Sequence, residues 1–232
     1  MGAKFFPSQR NWLIQRLGGR REPKYIPVIA AAPPVSGWDS FQSGTDSYTD
    51  YLDTYIQEGA NETTNFETAA TVIVDANASD ERYGLWRWSG VNGAGLSGHF
   101  NDNTTTRVTS ASIDFEVTSQ GEGMVLNELL TDYDFTSITW TNSTPVSGTD
   151  ITLSAVGIWP GDLNYTGPIN IVLDAATVER WIRHPESNLG LWGYAAGSDP
   201  LNGQQVSSDD EPTIADRPRL TIAWEEPASA AP

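Results

Sequence analysis

The sequence contains no cysteine. Disulfides, thiolate metal sites and a cysteine nucleophile are therefore excluded, and neither redox compartment is favoured. Lysine is nearly absent as well: Lys4 and Lys24 are the last of it. His99 and His184 are the two histidines. No Ser or Asp motif accompanies either, so both are read as surface or structural residues. No stretch approaches the ~20 apolar residues of a membrane span, and no membrane partner is expected. A secretory signal is also missing. It would need an apolar run of about 7–15 residues. Here Lys4 is followed only by Phe5, Phe6 and Pro7, and then by Arg10. The segment "YIPVIAAAPP" (25–34) is too short and too proline-rich to serve instead. Synthesis in the cytoplasm is the expectation.

What is present is acid. The chain has 232 residues and a formal charge of −17. That length suits one sizeable domain with an appendage. Six basic residues against Glu22 give residues 1–27 a charge of +5, whereas 7 arginines against 29 acids give the remainder −22. An acidic body repels nucleic acid and anionic membrane. The basic head is a modest footprint for polyanions, so nucleic acid is not an expected partner.

Residues 1–40 read as an N-terminal arm. Ser8 can cap a short helix. Trp12, Leu13, Ile14 and Leu17 give apolar contacts at i, i+3 and i+4, Gln9, Arg10, Gln15 and Arg16 are polar, and Gly18-Gly19 is a stop signal. About ten residues do not form a stable helix alone in water, so the segment needs a docking surface. "REPKYIPVIAAAPPVSG" (21–37) holds four prolines and favours extended backbone. The expected partner-binding residues are Trp12, Leu13, Ile14, Arg16, Leu17, Arg20, Arg21 and Tyr25.

Beyond the arm the pattern becomes β. In "ASIDFEV" (111–117), Ile113, Phe115 and Val117 alternate with Ser112, Asp114 and Glu116. "RLTIAW" (219–224) and "INIVLD" (169–174) alternate likewise. "TVIV" (72–75), "GLWRWS" (84–89) and "ITLSAVGIW" (151–159) are further candidate strands. Many short strands with Gly, Asn, Asp and Ser punctuation predict a sandwich or barrel. One helix interrupts the series in "LDAATVERWIRHPES" (173–187): Asp174 as N-cap, Val178, Trp181 and Ile182 on one face, Pro185 as terminator. The domain is placed at 41–226, with a tail at 227–232.

Chemistry is sparse. Thirty acids guarantee chance carboxylate pairs, so no glycosidase pair is inferred. "SSDDEP" (207–212) and "NDN" (101–103) are candidate structural calcium loops, though neither has EF-hand spacing. No other cofactor is expected. Trp86 and Trp88 share a face, and with Trp192 they are either core or a stacking platform for sugars.

Residues 53–224 resemble the DNRLRE domain. The resemblance lies in "DTYIQEG" (53–59), "TNFET" (64–68), "ERYGLWRWS" (81–89), "SASIDFEV" (110–117), "SITWTNSTP" (137–145), "NIVLDAATVERWIRHPESNLGLWGY" (170–194) and "RPRLTIAW" (217–224). Their order and spacing agree over about 170 residues. Trp88 stands where the family's signature strand has Phe. The resemblance implies a jelly-roll-like antiparallel β-sandwich with one short crossover helix, and it transfers no catalytic residue. Trp140, Leu173, Trp181, Leu191, Leu220 and Ile222 would be core, and Pro218 would open an edge strand. Such modules occur in secreted cell-surface proteins and in bacteriophage virion proteins.

The resulting expectation is a non-enzymatic phage structural protein. It would be a capsid decoration (cement) protein, or instead a tail adaptor or fibre component. Its partner would be the major capsid protein or another virion protein, and the assembly a homo-oligomer, a trimer first. The alternative is a carbohydrate-binding or adhesion module.

Overall fold

The fold is that of a computed structural model. It is described over residues 34–77, 79–92, 96, 99–100, 105–143, 148–161, 164–197 and 203–227. The elements described throughout are eleven strands and one α-helix, in chain order β1 Val35–Gln42, β2 Tyr51–Gln57, β3 Thr71–Val74, β4 Arg82–Trp88, β5 Arg107–Ser119, β6 Met124–Glu128, β7 Gly157–Trp159, β8 Gly167–Leu173, α1 Ala175–Arg183, β9 Leu191–Ala195, β10 Gln204–Ser207 and β11 Arg219–Glu226. Every pairing between them is antiparallel. The protein is an all-β, jelly-roll-like sandwich: the strand pattern predicts a sandwich or barrel, and the jelly-roll form is what the resemblance implies.

The hydrogen-bonded path runs β1-β11-β5-β8-β7-β6-β9-β4-β2. It turns from one layer to the other at β7, which touches β8 through the single pair Gly157↔Leu173. At the opposite side β10 joins β5 to β3, and the lone bridge Asp75↔Arg82 carries β3 to β4. The curled sheet thus nearly closes on itself, which leaves few free edges to aggregate. β5 has 13 residues because one side of it must serve two partners, β11 and then β10.

The main core lies between the layers. Trp86 spans it, 5.4 Å from Phe115 between ring centroids, and is fully buried. Burying such a ring removes roughly 200 Å² from water, about 5 kcal/mol before entropy is charged. Space for it comes from a cross-strand pair, Gly84↔Gly193. A methyl group at either position would run into the indole.

A second cluster covers the outer face of the same layer. Ile56, Leu85 and Trp192 point away from the main core and meet Phe135, Ile138 and Ile151. β2 and β4 are therefore buried on both faces, which is why "GLWRWS" reads as nearly continuous apolar sequence. Trp140 belongs here and not to the main core: it is half-buried in a 3₁₀ turn, stacked on Tyr83 at 5.3 Å. The other five expected core residues are buried.

Helix α1 starts as the sequence predicts, with Asp174 accepting from the Thr177 amide at 2.8 Å. It carries the chain from β8 in one layer to β9 in the other. Val178, Trp181 and Ile182 face the core. Glu128, itself buried, accepts from Arg180 at 2.6 Å and from the Trp181 indole at 2.8 Å. This clamp fixes the helix to β6. A buried carboxylate persists only when so satisfied.

Three boundaries differ from the sequence reading. β1 begins at Val35 and pairs with β11 along its length, so the sandwich starts inside residues 1–40. Its residues are exposed or half-buried except for buried Gln42, so no alternation betrays it. Of 151–159 only Gly157–Trp159 forms a strand; before it Ile151 makes a single bridge to Leu129 and enters the second cluster, while Leu153 is exposed. Pro218 does precede β11, but β11 is an interior strand with partners on both sides. The proline is tolerated because the ladder starts after it, at Gln42↔Arg219.

The Gly84/Gly193 gap yields a test. Gly193→Ala should cost about 2–3 kcal/mol through overpacking, read by urea unfolding. Paired with Trp86→Phe, its cost should be less than additive.

Candidate functional site

The site begins with chain direction. β1 and β2 are consecutive yet lie at the two ends of the strand path, so residues 43–50 must cross between layers. This crossover is tied down polar group by polar group. The Trp88 indole donates to the Phe41 carbonyl at 3.1 Å. The Tyr48 hydroxyl donates to the Ser89 carbonyl at 2.7 Å. Tyr48 packs edge-on to Phe41 at 5.5 Å. Asp46 and Ser47 take φ of 48° and 65°, the left-handed region that few non-glycine residues enter.

The result is a groove of about 490 Å³ whose lining includes Trp38, Asp39, Ser40, Phe41, Asp46, Tyr48 and Asp50. Trp38 is 71% exposed. Asp46 and Asp50 are exposed, and Asp39 is half-buried while accepting from the Trp224 indole at 3.1 Å. Residues 38–41 are consecutive, with side chains alternating between faces, so the groove follows the edge of β1 itself. Among the described residues that edge is unpaired, since β1 bonds only to β11.

Behind the crossover lies a second group of acids. Asp53 is buried on β2. Its Oδ2 accepts from the Tyr51 hydroxyl at 2.8 Å and the Asp209 amide at 3.1 Å, while Oδ1 has no partner among the described residues. Burial, and then the charge of Asp209, push its carboxyl well above the usual range. Asp209 is raised to about 6 by burial, then by Asp210, with Glu67 adding to the rise and Arg217 opposing it. Asp53 is sealed from solvent and ties β2 to the Asp209 backbone.

Cations are already committed. Arg82 pairs with Asp80, Arg87 with Asp132, Arg107 and Arg183 with Glu179, Arg180 with Glu128, and Arg219 with Asp114. Arg217 donates to the Glu211 carbonyl at 2.8 Å and lies beside Asp209. All seven arginines beyond residue 27 are thus engaged within the body. Among the described residues none of them pairs with Asp39, Asp46 or Asp50. The groove offers carboxylates, an exposed indole and a strand edge, a combination suited to an extended cationic partner.

The chain matches no protein-family model, and no curated protein matches it.

The eight residues expected to bind a partner, Trp12, Leu13, Ile14, Arg16, Leu17, Arg20, Arg21 and Tyr25, lie outside the described residues. So does the candidate calcium loop 101–103. No group of three or more His, Asp or Glu that could hold a metal ion occurs among the described residues, which include 207–212. The two histidines stand with different partners: His99 stacks on Trp224 at 3.9 Å, and His184 faces Glu186 at 3.5 Å. Trp86, Trp88 and Trp192 are all core. No helix among the described residues is long and apolar enough to cross a membrane. The groove itself had no sequence signal: its acids come from a strand edge and a turn.

The buried acids set a pH dependence. A carboxyl raised by folding keeps its proton where the unfolded chain has lost it, so its stabilisation is complete below the unfolded value near about 3.9 and fades as pH rises. For Asp209 the fade runs through about 6. Stability should therefore fall between about pH 5 and about pH 7, with Asp209 contributing about 1 kcal/mol after solvent screening. Asp209→Asn should remove that share. Urea unfolding at the two pH values measures it, and an identical fall in the variant would contradict the assignment.

Proposed function

We propose that this protein is a non-enzymatic structural component of a bacteriophage particle that attaches through residues 1–27. The observation that carries the attachment is the division of charge. The folded body has all seven of its arginines engaged internally, while the other six cations of the chain lie in residues 1–27. The body supplies a rigid, acidic sandwich, and the arm supplies the apolar and basic groups that a partner surface can bind. Trp12, Leu13, Ile14 and Leu17 would enter an apolar pocket, with Arg16, Arg20, Arg21 and Tyr25 at its rim. The phage assignment draws on the resemblance to the DNRLRE domain. Within a particle the first reading is a capsid decoration protein on the major capsid protein, assembled as a homo-oligomer, a trimer first. A tail adaptor or fibre component is the variant of the same reading.

The alternative, a glycan-binding or adhesion module, asks for a row of exposed aromatic rings. Trp86, Trp88 and Trp192 are buried, and Trp38 is the exposed tryptophan among the described residues. One ring with three carboxylates around it suits a cation better than a neutral sugar.

Mass spectrometry of purified particles should detect the protein. Deletion of residues 1–27 should leave circular dichroism and melting temperature essentially unchanged and abolish incorporation. Unchanged incorporation would refute the arm as the anchor.

A further inference from the structure

We infer that the groove along β1 is the receptor for the basic arm of a second copy of this chain, so that neighbouring copies are linked arm into groove. This rests on reading residues 1–27 as a docking arm and names the surface that receives its basic end, while Trp12, Leu13, Ile14 and Leu17 remain for the particle protein.

The argument is one of complementarity. The groove presents Asp39, Asp46 and Asp50, and no arginine of the body neutralises them. Arg20, Arg21 and Lys24 are the matching cations in the arm, with Glu22 as the one opposing charge. The surrounding prolines favour an extended backbone, and an extended segment is what an unpaired strand edge can accept by adding hydrogen bonds to it. Trp38, 71% exposed, stands where a guanidinium or the Tyr25 ring could lie across its face.

A second copy is the occupant because of where the arm joins the body. The chain enters β1 at Val35, and the groove lies further along the same strand, at Trp38–Phe41. To fill its own groove the arm would have to fold back within residues 26–34, where Pro27, Pro33 and Pro34 restrict their own backbone and that of the residue before each and favour extension. The arm of a neighbour meets no such constraint.

The test is a double-mutant cycle on full-length protein, with self-association measured by sedimentation velocity across a dilution series. The groove variant carries Asp39→Asn, Asp46→Asn and Asp50→Asn. Asparagine tolerates the left-handed backbone at position 46 and keeps an acceptor for the Trp224 indole. The arm variant carries Arg20→Gln, Arg21→Gln and Lys24→Gln. Wild-type protein should self-associate, and less so as salt rises. Each variant should weaken association about tenfold. Both together should weaken it no further, since they remove the same contacts. Circular dichroism and melting temperature should match the wild type. A monomeric wild type, an unaffected groove variant or fully additive losses would each overturn the inference. Particle incorporation separates this from the broader reading. If the arm deletion abolishes incorporation while the groove variant is incorporated normally and self-associates as wild type, the arm binds another protein and only the arm-in-groove link fails.

Discussion

Trp86 packs against Gly84 and Gly193, two strand positions without side chains. Much of the structure follows from that placement. The ring reaches Phe115 in the opposite layer and so sets the gap between the layers. Two residues on, Trp88 packs against Tyr51 at 4.7 Å and donates its indole N–H to the Phe41 carbonyl. The same stretch of β4 thereby fixes β2 on one side and the end of β1 on the other. The crossover between β1 and β2 inherits its position from this pair of rings. The groove is built from that crossover and from the edge of β1, so its shape is a consequence of core packing rather than of loop sequence.

Electrostatics then decides what the groove can do. A net charge of −22 over residues 28–232 costs self-repulsion, and the body spends its few arginines where they stabilise most. Arg180 satisfies buried Glu128 beneath helix α1. Arg183 and Arg107 converge on Glu179, and Arg217 steadies the 208–217 loop beside Asp209. None is left for the groove. Cationic complements must come from another molecule or from the arm. Surface pairs of this kind contribute little singly, and their collective effect lies mainly in orientation and encounter rate.

Legibility in the sequence tracked burial pattern. β5, β8 and β11 have one buried and one solvated face, so their apolar residues alternate and the strands could be read directly. Helix α1 was equally readable from Asp174, from the spacing of Val178, Trp181 and Ile182, and from Pro185. β2 and β4 are covered on both faces, so alternation fails there and only their apolar character shows. β1 was hidden for another reason: Gln42 is its one buried residue, so it shows no apolar alternation, and it follows a proline-rich stretch. The buried acid cluster joins Asp53 to Asp209, which are 156 positions apart, and no local pattern announces such a contact. The residues expected to bind a partner lie outside the described structure. What the sequence did show was the segregation of basic from acidic charge, and the structure adds that the body's arginines are already occupied.

Lys4 and Lys24 are the chain's only lysines, which makes one measurement unusually direct. Equal amounts of full-length protein with natural and with heavy nitrogen are mixed, coupled by zero-length amine-to-carboxyl chemistry, digested and analysed by mass spectrometry. The account predicts links from Lys24 to Asp39, Asp46 or Asp50 that join a light peptide to a heavy one. Links from Lys24 confined to peptides of the same label, or to acids remote from β1, would contradict it.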